Sequence, residues 1–475
     1  MTARCTLGIW LLAASACSQD YVHVYLQGSN TQLTASPVMV SVAVYGGGAR
    51  TSFDYIARFR DAGAADTSLK YTDFVLVLDG VTAETEIRAT ILETPTRWGG
   101  DARVRTSGGG KDIFIDLHNA ELPMMGTMPL SENKGGTLAP FEDGVVVAWA
   151  DTAGVTVREE PTPDIPAFRP QVIVPDPGAT RVKIASRPVE TTIGPDLFAL
   201  VWRGSDGNLR LRTRRTPNMV SGPIDLGMGS DVHVACARKG GSFDLVTVAQ
   251  ESDGIWATIR DASGVSLARR LVAGPDPVSE IVGVVAAPVD GFVVVLRGAA
   301  GPRLVALSVS DDPTGDPRPG ISMSGDPLSV ALSSDGALLL VAQRQDPDDA
   351  LMLATYFVGA LDQEPPSPQR IAPLSRVATG TLSKVAVSAC VIAWPETRDD
   401  GSGAIDLRFH HLDARGHPIG DSHLLNAFSG GVHGLPSAAC ATGARAYTTF
   451  VEAMTTDDAH GEVRLRRVPQ LQLQP

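Results

Sequence analysis

A short apolar segment recurs from residue 141 to the end of the chain, at a spacing of about 45 to 55 residues. Self-similarity at this period restricts a chain to solenoids, propellers or arrays, because one repeat alone cannot bury its hydrophobic faces. The repeated segments are Val145–Trp149, Leu197–Trp202, Phe243–Ala249, Phe292–Leu296, Ala337–Ala342, Cys390–Trp394 and Arg445–Val451.

Each repeat has the content of a four-stranded sheet. In one of them a weak strand at Val182–Ala185 precedes the apolar segment Leu197–Trp202, and an amphipathic strand at Leu209–Arg214 and a short one at Ile224–Leu226 follow. Continuous apolarity in the second strand fits burial on both faces between neighbouring sheets. We therefore predict a β-propeller over residues 141–475, with about seven four-stranded blades and a range of six to eight.

The preceding region, residues 17–120, reads as a β-sandwich. Alternating or apolar segments such as Tyr21–Leu26, Pro37–Tyr45 and Phe74–Leu78 are separated by glycine-rich turns. Six or seven short strands in this length are typical of an immunoglobulin-like or a transthyretin-like sandwich. Residues 121–140, rich in Pro, Met, Gly and Thr, are predicted to be a linker, so the expected fold class is all-β.

The N-terminus has the pattern of an export signal. Residues 1–16 combine a short basic start, an apolar run and the small residues Ala14-Ser15-Ala16, and Cys17 follows directly. This arrangement resembles the lipobox of bacterial lipoproteins, although that family usually has Leu where Ala14 stands. The resemblance implies a lipid on Cys17 and an address at the outer membrane or cell surface; the alternative is ordinary signal cleavage. No other segment is apolar enough to span a bilayer, so the lipid would be the membrane contact.

Two stretches of the repeat region also resemble a known family. Ser329–Ala342 is similar to the Ser-Pro-Asp-Gly blade motif of TolB-like and YVTN-type propellers, with Ser334 in place of the proline. Cys390–Trp394 and Leu412–Gly416 are similar to blades of large exported bacterial lipoproteins. The resemblance implies a propeller in the cell envelope, and it implies no activity because one fold hosts many functions.

Composition and motifs favour binding over catalysis. A net charge of −13 argues against nucleic acid as a partner. The sequence has no Gly-x-Ser-x-Gly, His-Glu-x-x-His or Walker-type pattern, and Ser205–Gly207 and Ser252–Trp256 miss the sialidase Asp-box spacing. We expect a non-enzymatic scaffold without a cofactor that binds an envelope protein or a glycan. The alternative is an extracellular hydrolase acting on glycans or peptides at the propeller channel.

Acidic loops follow several of the apolar strands. Equivalent loops of a propeller emerge on one face, so their carboxylates could form an acidic rim that suits calcium or a cationic partner. The other interpretation is that tight hairpin turns simply prefer Asp and Gly. The candidate rim residues are Asp346, Asp348, Asp349, Asp399, Asp400, Asp457 and Asp458.

Three cysteines would remain after export and acylation: Cys236, Cys390 and Cys440. Because Cys390 and Cys440 lie in consecutive repeats, they are the favoured disulfide pair; the alternative is three buried thiols. The tryptophans that end three apolar strands, Trp149, Trp202 and Trp394, are expected to cap the core between blades with the indole N–H near solvent.

Overall fold

The computed structural model is built almost entirely of strands. One short 3-10 helix, Val358–Ala360, is the only helix among the described residues, and no described helix is long and apolar enough to cross a membrane. The described residues are 20–28, 38–46, 49–61, 70–78, 84–92, 97–105, 111–116, 118–119, 121–128, 135–141, 144–160, 172–187, 197–215, 219–220, 222–237, 244–276, 279–287, 291–308, 320–345, 350–361, 367–373, 377–378, 384–398, 402–426, 432–441, 445–453 and 461–468.

The chain divides into two compact units, Met1–Ile91 with Gly100–Leu117 and Leu92–Gly99 with His118–Pro475. Two sheets, in the orders β4-β5-β1-β8 and β3-β2-β6-β7-β9, contain the first nine strands. These strands are β1 (Asp20–Gly28), β2 (Val38–Gly46), β3 (Ala49–Ala57), β4 (Arg60–Asp61), β5 (Lys70–Leu78), β6 (Glu84–Leu92), β7 (Arg97–Arg105), β8 (Lys111–Asp116) and β9 (His118–Asn119).

The first unit is a sandwich because alternate side chains of its strands share one buried face. Val22, Val24 and Leu26 of β1 are buried, as are alternate residues of β2 and β6. The rings of Phe74 on β5 and Tyr55 on β3 lie 5.4 Å apart, which joins the two sheets. Strand β1 pairs antiparallel with β5 and parallel with β8.

The second unit contains seven four-stranded blades in the described residues. In the second blade the outer strand is split into two short strands that both pair with the third strand. The first blade contains β11 (Thr137–Phe141), β12 (Gly144–Asp151), β13 (Gly154–Glu160) and β14 (Val172–Pro175), and the second contains β15 (Thr180–Ser186), β16 (Leu197–Arg203), β17 (Asn208–Arg215), β18 (Met219–Val220) and β19 (Ile224–Met228). The third blade contains β20 (Asp231–Cys236), β21 (Leu245–Glu251), β22 (Gly254–Arg260) and β23 (Ser266–Ala273), and the fourth contains β24 (Glu280–Ala286), β25 (Gly291–Arg297), β26 (Arg303–Ser308) and β27 (Ile321–Ser322).

The last of the remaining three blades includes one strand that precedes the first blade in the chain. That strand is β10 (Glu121–Met128), which forms the outer edge of the seventh blade. The fifth blade contains β28 (Asp326–Leu332), β29 (Leu338–Gln345), β30 (Ala350–Phe357) and β31 (Gln369–Pro373). The sixth contains β32 (Ala386–Val387), β33 (Val391–Thr397), β34 (Ile405–Leu412) and β35 (Pro418–Leu424). The seventh contains β36 (Val432–Ala441), β37 (Arg445–Ala453), β38 (Gly461–Arg467) and β10.

The sequence predicted a linker over residues 121–140, but the structure places strands in this stretch. Strand β10 pairs antiparallel with β38, with Leu122 opposite Leu465, and β11 starts the first blade within the same stretch. Pro123 hid this strand from pattern reasoning, because proline lacks the N–H that a central strand needs. At the edge of a sheet that donor is dispensable, and the pairing shifts register between Pro123 and Thr127.

The innermost strands enclose a central channel. Each of β11, β15, β20, β24, β28, β32 and β36 contacts the next one, and β36 contacts β11. The predicted all-β propeller is confirmed by this ring of blades.

The core lies between the blades. Val146 and Ala148 of the first blade pack with Phe198, Leu200 and Trp202 of the second in one buried cluster. Sheets covered on both faces explain why the second strand of each blade is continuously apolar.

Candidate functional site

The predicted acidic rim and the predicted lipid attachment site fall outside the described residues. Both stay predictions of the sequence. The residues concerned are Cys17, Asp346, Asp348, Asp349, Asp399, Asp400, Asp457 and Asp458.

Two acidic residues, in equivalent loops that the structure describes, accept hydrogen bonds within their own turns. Oδ1 of Asp151 accepts a hydrogen bond from the N–H of Ala153 at 2.8 Å, and its Oδ2 accepts from the Thr156 hydroxyl at 2.7 Å. Oδ1 of Asp206 accepts from the N–H of Asn208 at 3.1 Å. In these two loops the carboxylates stabilise the hairpin. Within the described ranges, no group of three or more His, Cys, Asp or Glu is placed to hold a metal ion.

Cys390 and Cys440 form a disulfide that joins the sixth and seventh blades, with their Cα atoms 6.0 Å apart. Sγ of Cys440 also lies 3.1 Å from the Ser388 hydroxyl. The bond closes a sequence separation of 50 residues, which restricts the unfolded chain. Cys236 is a buried free thiol, and burial raises its pKa to about 12, so it is a poor nucleophile.

The sequence predicted that the indole N–H groups of the three tryptophans lie near solvent, and the structure shows that this prediction is wrong. Trp202 is 0% exposed, and its Nε1–H donates to Oδ2 of Asp176 at 2.6 Å. Nε1–H of Trp394 donates to Oε2 of Glu396 at 3.3 Å. Trp149 is buried as well. Carboxylates of the protein therefore take the place of water as hydrogen-bond partners of two of these indoles. Asp176 lies in a loop that no local sequence pattern connects to Trp202.

A cleft of about 600 Å³ opens between the second and third blades. Its walls are the end of β16 with the turn to β17, the connection from β19 to β20, the hairpin from β21 to β22, and the residues after β23. Backbone bonds hold two of these walls together: the N–H of Ser230 donates to the carbonyl oxygen of Gln250 at 2.9 Å. The walls are therefore set by strand pairing, and the cleft is preformed.

The cleft combines charged, hydroxyl and apolar groups. Nε of Arg203 donates to the Gly229 carbonyl at 3.0 Å, which directs the guanidinium along the wall. Oε2 of Glu251 accepts from Arg269 at 2.7 Å. Met228 is 72% exposed, and Ser230 and Ser252 are exposed too. The mixture offers donors, acceptors and an apolar surface to one bound molecule.

A second cluster of charged residues lies at the channel. Lys183 and Arg181 belong to β15, Asp231 and His233 belong to β20, and Lys384 lies two residues before β32. Oδ2 of Asp231 is 3.5 Å from Nε2 of His233 and 3.9 Å from a guanidinium nitrogen of Arg181. The innermost strands of the second and third blades therefore bring Arg181, Asp231 and His233 together.

The ionisation of the channel residues follows from burial and from their mutual charges. Repulsion by Lys183, together with burial, lowers the pKa of Lys384 to about 7. Burial lowers the pKa of Lys183, and Asp231 opposes that effect. Burial would raise the pKa of Asp231, but the hydrogen bond and charge of His233, with Lys183 and Arg181, hold it at about 2. Burial also lowers the pKa of His233.

Comparison with known proteins finds only distant similarity. No protein-family model and no curated protein matches this sequence. The β-propeller domain of the trilobed protease from Pyrococcus furiosus is 10% identical, with a TM-score of 0.40 over 72% of this chain and 97% of that one.

Two lectin structures are similar to the same extent. The Aleuria aurantia lectin in complex with Fucα1-6GlcNAc is 14% identical, with a TM-score of 0.39 over 62% of this chain and 96% of that one. The SapL1 lectin in complex with α-methyl fucoside is 13% identical, with a TM-score of 0.39 over 64% and 97%.

The Asp231 carboxylate is expected to stabilise the fold in a pH-dependent way. Because its folded pKa is depressed from 3.8 to about 2, its contribution is present above pH 4 and is lost as the pH falls through 2. Asp231→Asn should cost about 2 kcal/mol of unfolding free energy at pH 7, and this difference should shrink toward pH 2. Urea unfolding across this range, with the exposed Asp421→Asn as control, measures it; an equal loss at all pH values would contradict the assignment.

Proposed function

We propose that this protein is an exported binding protein that recognises a glycan in the cleft between its second and third blades. The observation that carries the proposal is the preformed cleft itself. Its volume of about 600 Å³ lies within the range of small-ligand sites, roughly 300 to 1,000 Å³. A protein partner would instead require a broader surface, on the order of 800 Å² on each side.

The chemistry of the cleft suits a polyhydroxylated ligand. Sugars present many hydroxyl groups together with apolar C–H faces. Arg203 supplies donors, Glu251 supplies an acceptor, and the exposed Ser230 and Ser252 supply both. Met228 offers a polarisable apolar surface to a sugar face.

The channel supports binding better than hydrolysis. A glycosidase of the usual type needs a carboxylic acid whose pKa is raised so that it can donate a proton. Asp231 has the opposite environment, because His233, Lys183 and Arg181 hold its pKa at about 2. We therefore keep the hydrolase only as the alternative function, without an assigned catalytic residue.

We also propose that Cys17 carries a lipid that tethers the protein to the outer membrane or cell surface. The support is the sequence of residues 1–17 alone. Intact-mass analysis of the N-terminal peptide from native membranes should find a diacylglyceryl group on Cys17, and Cys17→Ala should be released in soluble form. An unmodified N-terminus in the soluble fraction would contradict the lipid anchor and leave a secreted binder.

Arg203 is the residue whose loss should weaken glycan binding most. On an array of immobilised oligosaccharides, the wild-type protein should retain a defined subset, and Arg203→Ala should lose on the order of tenfold in affinity with the loss of one or two charged hydrogen bonds. Arg370→Ala removes the same charge from the exposed outer strand of the fifth blade and should bind as wild type.

The array has two results that would overturn the glycan proposal. One is that the wild-type protein retains no oligosaccharide. The other is that Arg203→Ala and Arg370→Ala retain the same oligosaccharides with the same affinity as wild type. A pull-down that instead captured an envelope protein through this cleft would assign the site to a protein partner.

A further inference from the structure

We infer that the cleft between the second and third blades selects acidic glycans, and that Arg203 binds the carboxylate of a uronic acid unit. This assignment rests on the proposed function and deepens it, because it names the class of sugar that the cleft takes. Arg203 lines the cleft without a carboxylate partner, whereas the two acidic residues of the lining are engaged by other groups. A ligand that carries its own carboxylate would supply the missing counter-charge.

Arg203 has an equivalent in the fourth blade. Arg203 ends the second strand of its blade, and Arg297 ends the second strand of the fourth. Each also donates to the backbone on the side of the following blade: Nε of Arg203 bonds to the carbonyl oxygen of Gly229 at 3.0 Å, and Nη2 of Arg297 bonds to that of Pro327. The two arginines therefore occupy matching positions, and their surroundings can be compared directly.

The carboxylates around these two arginines differ. Nη1 of Arg297 lies 2.9 Å from Oε2 of Glu280, and its Nε lies 2.6 Å from Oδ1 of Asp326. Glu280 is the register partner of Arg297 in the neighbouring strand. The register partner of Arg203 is Thr180, which carries no charge. In the part of the chain that the structure describes, no carboxylate lies within 4.0 Å of the Arg203 guanidinium.

The second carboxylate is also directed elsewhere in the second blade. Asp326 begins the innermost strand that follows Arg297, and Asp231 begins the one that follows Arg203. Oδ2 of Asp231 lies 3.5 Å from Nε2 of His233 and 3.9 Å from Nη1 of Arg181. Both carboxylates that neutralise the arginine of the fourth blade are thus missing at the arginine of the cleft.

The two acidic residues of the lining do not replace them. Oε2 of Glu251 accepts a hydrogen bond from Arg269 at 2.7 Å, so its charge is offset by another arginine. Oδ2 of Asp276 accepts from the Ser279 hydroxyl at 2.9 Å and from the N–H of Ala299 at 3.1 Å, which directs it toward the fourth blade. These bonds hold both acids on protein groups and leave the arginine of the cleft for a ligand.

Gly207 keeps space open beside the end of this guanidinium. A Cβ atom placed on Gly207 would lie 3.6 Å from Nη2 of Arg203 and 3.6 Å from Cε of Met228. The backbone at Gly207 has a φ of +83°, which residues with a side chain rarely adopt. A carboxylate can therefore reach the guanidinium while the apolar face of the same sugar ring meets the methionine methyl group.

Free and methyl-esterified sugars test this selectivity, because esterification removes the charge and keeps the ring and its hydroxyl groups. The probes are trimers of galacturonate, mannuronate and guluronate, each as the free acid and as the methyl ester. In isothermal titration of the full-length protein at pH 7, at least one acid should bind on the order of tenfold tighter than its ester. This preference should shrink when salt is added.

Arg203→Gln should remove the preference, because glutamine keeps hydrogen-bond donors but carries no charge. The variant should bind the acid and the ester alike, with about the affinity of the wild type for the ester. Arg370→Gln removes the same charge from the exposed outer strand of the fifth blade and should keep the preference.

A blocking variant tests the place of binding separately from the charge. Gly274 lines the cleft, and a Cβ atom placed on it has no atom within 4 Å, so Gly274→Phe can fold without a clash and should abolish binding of acid and ester. Gly359 is equally open but lies in the fifth blade's connection, so Gly359→Phe should bind as wild type.

The outcomes separate this inference from the proposed function. Equal binding of acid and ester by the wild type, tighter binding of the esters, or retention of the preference by Arg203→Gln would overturn the assignment of Arg203 to a uronate. Binding of none of these trimers, while the oligosaccharide array retains other sugars, would also overturn it and leave the glycan proposal standing. Unchanged binding by Gly274→Phe, or an array that retains nothing, would contradict the proposed function itself.

Discussion

The pairing of β10 with β38 is the constraint on which the rest of the propeller depends. A propeller buries its blades only when the last blade packs against the first, and an unclosed ring leaves two sheet faces and an unpaired edge in water. Here the closing blade is assembled from both ends of the unit, since β36, β37 and β38 are joined by β10. The register places Glu121 opposite Arg466 and Met128 opposite Gly461. The contact of β36 with β11 completes the ring at the channel.

Closure matters less for the cleft than for the channel. The cleft is local, because its walls come from adjoining blades and are fixed by nearby backbone bonds such as that from Ser230 to Gln250. The channel depends on the whole ring, because the innermost strands β11, β15, β20, β24, β28, β32 and β36 enclose it only when all seven blades are in place. The disulfide between Cys390 and Cys440 supports the same closure by joining the sixth and seventh blades.

Regular, local features of the sequence were sufficient to predict the architecture. The recurrent apolar strand gave about seven blades, because burial on both faces leaves a continuous hydrophobic run such as Leu197–Trp202. Strand β10 was missed because Pro123 and Gly126 interrupt its pattern, and an edge strand tolerates both. The environment of Trp202 was misjudged because its partner, Asp176, is supplied by a different part of the chain.

The cleft could not be predicted, because it depends on residues that only the fold brings together. Arg203 and Glu251 belong to different blades, and nothing in their local sequence distinguishes them from other hairpin residues. The acidic loops, by contrast, attracted attention through composition, and Asp151 and Asp206 prove to stabilise their own turns.

Hydrogen exchange of the backbone amides is the most direct measurement of ring closure. If β10 completes the seventh blade, those amides of residues 121–128 that donate to β38 should exchange slowly, and mild denaturant should release them together with the amides of residues 461–467. Exchange of residues 121–128 at the rate of an exposed chain, while residues 461–467 stay protected, would contradict closure through this pairing. It would also remove the basis for a channel that is assembled from all seven blades.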